Sequence, residues 1–246
     1  ALPFVVADDP AVGASLHPPG PGATVPLAAV TAHADGLLVL TPVRPHPHLG
    51  FAGALHSLGV GLADRAGKIQ LHRDVRPRVD TPLCARCGSC NPVCLIDAIR
   101  IEGGRAMIDH ERCTGCGECM NVCFMAGIAP DEAAGIPRFQ QGVAAAARTA
   151  LIGAGARSRR AGFLNVLVRL DRRGGGPARR RDRLGDVGVL ASRDPVALDQ
   201  ATWDLAGGGA GGSLQAWSGF QQVPGPLLER AAALGLGTRS YRLVPI

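Results

Sequence analysis

The chain has 246 residues, 46% apolar but only 4% aromatic, enough for one large domain or one domain with a small insert, its core resting on Leu, Val, Ile and Ala. The formal charge is +6, and no apolar run reaches the ~18 residues that a membrane-spanning helix needs, so a span is not expected. No signal peptide is recognisable, which makes the cytoplasm the expected location.

Residues 1–80 carry short apolar runs broken by Pro and Gly. The chain opens, without a methionine, on Ala-Leu-Pro-Phe-Val-Val, and reads as truncated at its N-terminus. Phe4–Ala7 and Gly36–Thr41 are predicted as strands buried on both faces, as in a parallel sheet. Residues 81–130 hold all eight cysteines. Residues 137–168 begin helical and turn to a strand at Phe163–Val168. Between Arg169 and Arg183 stand seven Arg and two Asp around Gly174, Gly175, Gly176 and Pro177. With no aromatic to stack on a base, this run reads as a solvated, flexible loop, and nucleic acid is not an expected partner. Asp186–Ser192 is predicted as another buried strand. Asp194 then caps a helix from Pro195 to Ala206, which ends at the glycine cluster Gly207–Gly212. The expected architecture is an α/β main domain (residues 1–80 and 131–246) interrupted by a small α+β, ferredoxin-like insert (residues 81–130).

The cysteines form two runs of identical spacing, 29 residues apart: Cys84, Cys87, Cys90, Cys94 and Cys113, Cys116, Cys119, Cys123. A cubane cluster offers four iron corners, each needing a thiolate. Three closely spaced cysteines reach three corners of one cube, and the fourth, opening a short helix that points away, reaches the other. Two [4Fe–4S] clusters are therefore expected, one on Cys84, Cys87, Cys90 and Cys123, the other on Cys113, Cys116, Cys119 and Cys94. Gly88, Ser89, Gly115 and Gly117 would let backbone N–H groups approach the sulfides. Val93, Ile96, Ile99, Ile101, Val122, Met125 and Ile128 would exclude water. Disulfides would require an oxidising compartment, and structural zinc prefers separated cysteine pairs. The segment resembles bacterial two-cluster ferredoxins over about fifty residues, except that Leu95 and Phe124 replace the proline that usually follows the fourth cysteine. Arg86 and Arg112, beside ligand cysteines, would either raise the reduction potential or face solvent.

The flanks resemble a second family. The stretch from His46 to Lys68, the run from Leu190 to Gln200 and the ending Leu234–Tyr241 are similar to signatures of the DUF362 family. The resemblance implies an iron–sulfur protein with a two-cluster ferredoxin insert, and no particular reaction. Members are longer at the N-terminus, many carry a short Cys-Asp-Cys-type motif where this chain has its arginine–glycine loop, and they usually have lysine where His56 stands.

Residues 46–72 form the candidate pocket. His46, His48, His56 and His72 lie close in sequence with Arg65 and Lys68 among them, and Lys68 is the chain's single lysine. Such a set suits a metal, a phosphate or a carboxylate, with Gly50 and Gly53 opening space beside it. The alternative is a turn of surface histidines and packing glycines. The position of Lys68, sixteen residues before Cys84, places the pocket on the side of the insert. The candidate catalytic residues are His46, Lys68 and Asp199, the last expected to face a cleft at a strand end. The leading functional expectation is electron transfer within the chain or to a redox partner protein. Alternatives are a redox enzyme acting on a small anionic substrate near Lys68 and an iron- or oxygen-responsive structural protein.

Overall fold

The computed structural model describes residues 25–130, 135–153, 160–168, 186–207, 214 and 222–245. The predicted strand at Phe4–Ala7 and the basic loop at 169–183 lie outside these residues, as does most of the Gly207–Gly212 cluster.

The chain is mixed α/β, with a three-stranded sheet and three two-stranded ones among the described residues. The largest sheet joins β1 (Leu37–Pro42), β8 (Ala161–Leu167) and β9 (Gly188–Ser192) in the order β1-β8-β9. Central β8 runs parallel to β1, Leu37 opposite Ala161, and antiparallel to β9, Phe163 opposite Ser192. Between the parallel partners lie β2 (Arg44–His46), β3 (Gly50–Ala52), α1 (Ala54–His56), α2 (Arg65–His72), β4 (Pro77–Val79), β5 (Ile99–Glu102), β6 (Arg105–Ile108), α3 (Glu118–Val122), β7 (Ile128–Pro130) and α4 (Gly135–Gly153). After β9 come α5 (Pro195–Leu205) and α6 (Gly225–Ala233).

The strands at 37–42 and 188–192 are where the apolar runs predict them, but they are not buried on both faces. Leu38 is 74% exposed, Leu40 64% and Val189 56%. Only the alternate residues Leu37, Val39 and Leu190 pack on the core, because among the described residues one face of the sheet is covered and the other is open. The core itself is built from Phe139, Val143 and Ala147 of α4, Leu55 and Leu58, Phe163 of β8, and Leu227 and Leu228 of α6. The chain after α1 winds into a π-helical turn, Ser57–Gly61, and lies directly on α4. A Cβ at Gly59 would meet the Val143 carbonyl oxygen, so glycine alone allows this approach.

α5 starts as expected. Asp194 Oδ1 accepts from the N–H groups of Val196 (2.9 Å) and Ala197 (2.8 Å), with Pro195 at the first position. Its Oδ2 accepts from the Thr238 N–H at 2.8 Å and so ties down the C-terminal tail.

The cysteine segment repeats in three dimensions. β4 pairs with β7 and β5 with β6, all antiparallel. Shifting β4 and β5 by 29 residues lands on β6 and β7, so each of the two sheets pairs a strand of one repeat with a strand of the other. Backbone conformation follows the same shift, with positive φ at Arg86 (58°) and Gly115 (77°), at Gly88 (74°) and Gly117 (80°), and at Asp97 (49°) and Ala126 (51°). The β4–β7 pairing holds the two ends of the segment together, so the chain leaves and re-enters the rest of the molecule at one place.

Candidate functional site

The duplicated halves share a small core of Ile99, Ala106, Met120, Ile128, Cys90 and Cys119. Around it lie two cavities. One, narrow at about 20 Å³, is lined by Cys84, Cys87, Cys90 and Cys123. The other, about 490 Å³, is lined by Cys94, Cys113, Cys116 and Cys119. Each group holds three cysteines of one run and the fourth of the other. After each fourth cysteine the chain closes the same turn, the Asp97 N–H donating to the Cys94 carbonyl (3.1 Å) and the Ala126 N–H to the Cys123 carbonyl (3.0 Å).

Burial raises the thiol pKa of Cys90 and Cys113 and pushes Cys119 up to about 12, with neighbouring thiols adding to the effect. Cys87 lies at the surface, and its hydrogen bonds with Ser89 lower its pKa. Among the described residues no three His, Cys, Asp or Glu side chains converge tightly enough to chelate a single ion. Val93, Ile96 and Val122 are half-buried and Ile99 and Ile128 buried, but Ile101 (41%) and Met125 (45%) are exposed and exclude little water. Leu95 and Phe124, after the fourth cysteines, are 95% and 59% exposed. Arg112 donates to the Ile96 carbonyl at 2.8 Å.

The larger cavity has a second wall. His46, His56, His72 and Lys68 line it opposite the cysteine segment, with Arg44 and Arg65. Secondary structure explains the convergence. Arg65, Lys68 and His72 stand at i, i+3 and i+7 of α2, on one helix face. Arg44 and His46 alternate along β2 and share a side; that two-residue spacing would have added Arg44 to the candidates. The cysteine segment docks here through glycines. A Cβ at Gly115 would come within 2.7 Å of His72 Cβ, and one at Gly117 within 3.2 Å of Pro47. These two glycines therefore let the second cysteine run sit against the histidines.

The histidines form one cluster around Phe139. His46 lies 5.1 Å from His56 and 5.7 Å from His48 between ring centroids, and His72 lies 4.7 Å from Phe139. Burial, with smaller effects of neighbouring cationic groups, lowers the pKa of all four, to about 3 for His48 and His56, so each is neutral at pH 7. His48 is fully buried, and among the described residues neither ring nitrogen has a hydrogen-bond partner.

Gly50 and Gly53 do not open space for a ligand. Gly50 sits at φ +81° against the Gln222 carbonyl, and a Cβ at Gly53 would strike the Asp199 carboxylate. Asp199 lies apart from the cavity. It is 1% exposed, and its oxygens accept from the N–H groups of Ala54 (2.8 Å) and Leu55 (2.9 Å) and from Asn165 Nδ2 (2.8 Å). Burial raises its pKa to about 6. Its partners make it a cap for the start of α1, supplied by α5 from across the core, rather than a residue facing a cleft.

No curated protein and no solved structure matches the chain. A family model described as "Domain of unknown function (DUF362)" matches residues 8–204, a range that takes in both walls of the cavity and leaves the Leu234–Tyr241 block beyond it. On the strength of that match, which covers most of its length, the chain belongs to the DUF362 family.

Proposed function

We propose that the protein binds two [4Fe–4S] clusters, on Cys84, Cys87, Cys90 and Cys123 and on Cys113, Cys116, Cys119 and Cys94, in a ferredoxin-like insert that serves electron transfer to a redox partner protein. One observation carries the reading: eight cysteines and no more divide four and four between two cavities, and each four mixes both runs. The donor set fits, since soft thiolates around a cavity suit a cube, whereas a single ion needs ligands converging on a point. Bound clusters would each supply a reversible electron store. The protein's own part is to hold the thiols in two sets around one apolar core, close enough that Cys119 of one set senses the charge of Cys90 of the other. Ligation requires each thiol to lose its proton, and for Cys119 that costs most, so cluster loading should release protons.

Anaerobically purified protein should carry about eight iron and eight sulfide per chain and bleach with dithionite. Zinc without sulfide would overturn the proposal. Cys94→Ala should damage the cluster assigned to Cys113, Cys116 and Cys119 and spare the one assigned to the rest of its own run. EPR of the reduced variant distinguishes the two outcomes.

A further inference from the structure

The histidine wall of the larger cavity has a chemistry of its own, independent of the thiols. Three cations border the space, Lys68, Arg44 and Arg65, against a single carboxylate, Glu118. The hydrogen bonds of two histidines determine what they present. His46 Nδ1 accepts from the His48 backbone N–H at 3.2 Å, so the neutral ring carries its hydrogen on Nε2 and that nitrogen can only donate. His72 Nδ1 lies 2.7 Å from the Lys68 carbonyl oxygen, which can only accept, so Nδ1 bears the hydrogen and Nε2 keeps a lone pair. A metal ion needs lone pairs and avoids cations. Of the rings whose tautomer is fixed, His72 presents a lone pair and His46 an N–H donor, and they stand beside His56 and three positive charges. Beyond the charged end, Val60, Val93, Leu95 and Ile96 line the cavity. The cavity measures about 490 Å³ in all, of which a cluster on Cys94, Cys113, Cys116 and Cys119 would take part.

We propose that this cavity binds a small organic oxyanion, its charged group held by Lys68 and His46 Nε2–H and its apolar body directed along Val93, Leu95 and Ile96 toward the second cysteine set. Arg44 and Arg65, exposed at the rim, draw the anion in. His72 Nε2 accepts a hydrogen bond from any donor the ligand carries. The site does not require the cluster reading, because the histidine, lysine and apolar groups are present whatever the thiols hold.

The test is calorimetric titration of the full chain, purified anaerobically, with acetate, butyrate and hexanoate and with inorganic phosphate. Iron and sulfide are counted in the same samples, so the two proposals can fail separately. One saturable site per chain is expected for the alkanoates, with affinity rising by up to about fourfold for each methylene that becomes buried. Lys68→Met should weaken hexanoate binding roughly tenfold or more, as loss of a charge-assisted hydrogen bond does. His46→Ala should weaken it too, and His110→Ala, whose ring bonds to the Pro77 carbonyl instead, should not. Crystals of the unmodified protein soaked with 6-bromohexanoate give a readout that does not depend on how any variant folds: the bromine anomalous peak should lie beside Val93 and Ile96. The absence of saturable binding, phosphate bound more tightly than hexanoate, affinity indifferent to Lys68→Met, or a bromine peak elsewhere would each overturn the proposal.

Discussion

At the scale of single residues, two buried polar groups do opposite things. Asp199 is fully engaged, and removing it strands two backbone N–H groups in the core and leaves Asn165 Nδ2 with Thr202 Oγ1 as its remaining partner. Asp199→Ala should therefore destabilise the protein by about 3–5 kcal/mol in chemical denaturation, with cluster content lost only through unfolding. His48 is buried with no partner for either ring nitrogen among the described residues, so its ring gives up solvation for no bond there. His48→Leu should leave the melting temperature unchanged or raise it, and a drop of several degrees would show that the imidazole has a stabilising partner. Sequence alone names both residues but cannot rank them. Each is a polar side chain near an apolar run, and only the partners across the core, 145 positions away in the case of Ala54 and Asp199, separate a cap from an orphan.

Among the elements, the second cysteine run depends on glycine for its seat. Gly115 combines a φ of +77° with contact against His72, so Gly115→Ala is strained both locally and at the docking surface. It should lower iron content toward about four per chain by damaging the set of Cys94, Cys113, Cys116 and Cys119. Gly88→Ala, with nothing within 4 Å, should cost only the backbone strain of its positive φ. In the 29-residue repeat Gly115 corresponds to Arg86 and Gly117 to Gly88, but which copy meets the histidines is not visible in the sequence. The apolar runs likewise locate the strands, whereas their open outer face follows from which layers surround the sheet.

For the molecule as a whole, pH should be the sharpest lever on stability. The four clustered histidines have folded pKa values below their ordinary 6.5, so the unfolded chain takes up protons first. Their stabilising contribution is complete above pH 6.5 and is lost as pH falls toward about 3. Asp199 acts in reverse: its value, raised from 3.8 to about 6, favours the folded state increasingly as pH falls through that interval. Four groups outweigh one, and the melting temperature should drop by on the order of 10 °C between pH 7 and pH 5. His56→Gln should flatten the slope.

What the sequence by itself determined is everything with a short-range signature. The cysteine spacing and its duplication, the Asp194-Pro195 helix start, the strands at 37–42, 161–167 and 188–192 and the family resemblance all depend on residues within a few positions of one another, where propensity and reach suffice. Only the tertiary structure decided which ring nitrogens of His46 and His72 are bonded within the chain, that Asp199 turns inward, that Gly53 is filled rather than open, and that Arg44, Lys68 and the second cysteine set border one cavity. Those outcomes depend on how α2, β2 and the duplicated cysteine segment pack together. The contacts responsible join residues far apart in the chain, and no local pattern encodes them.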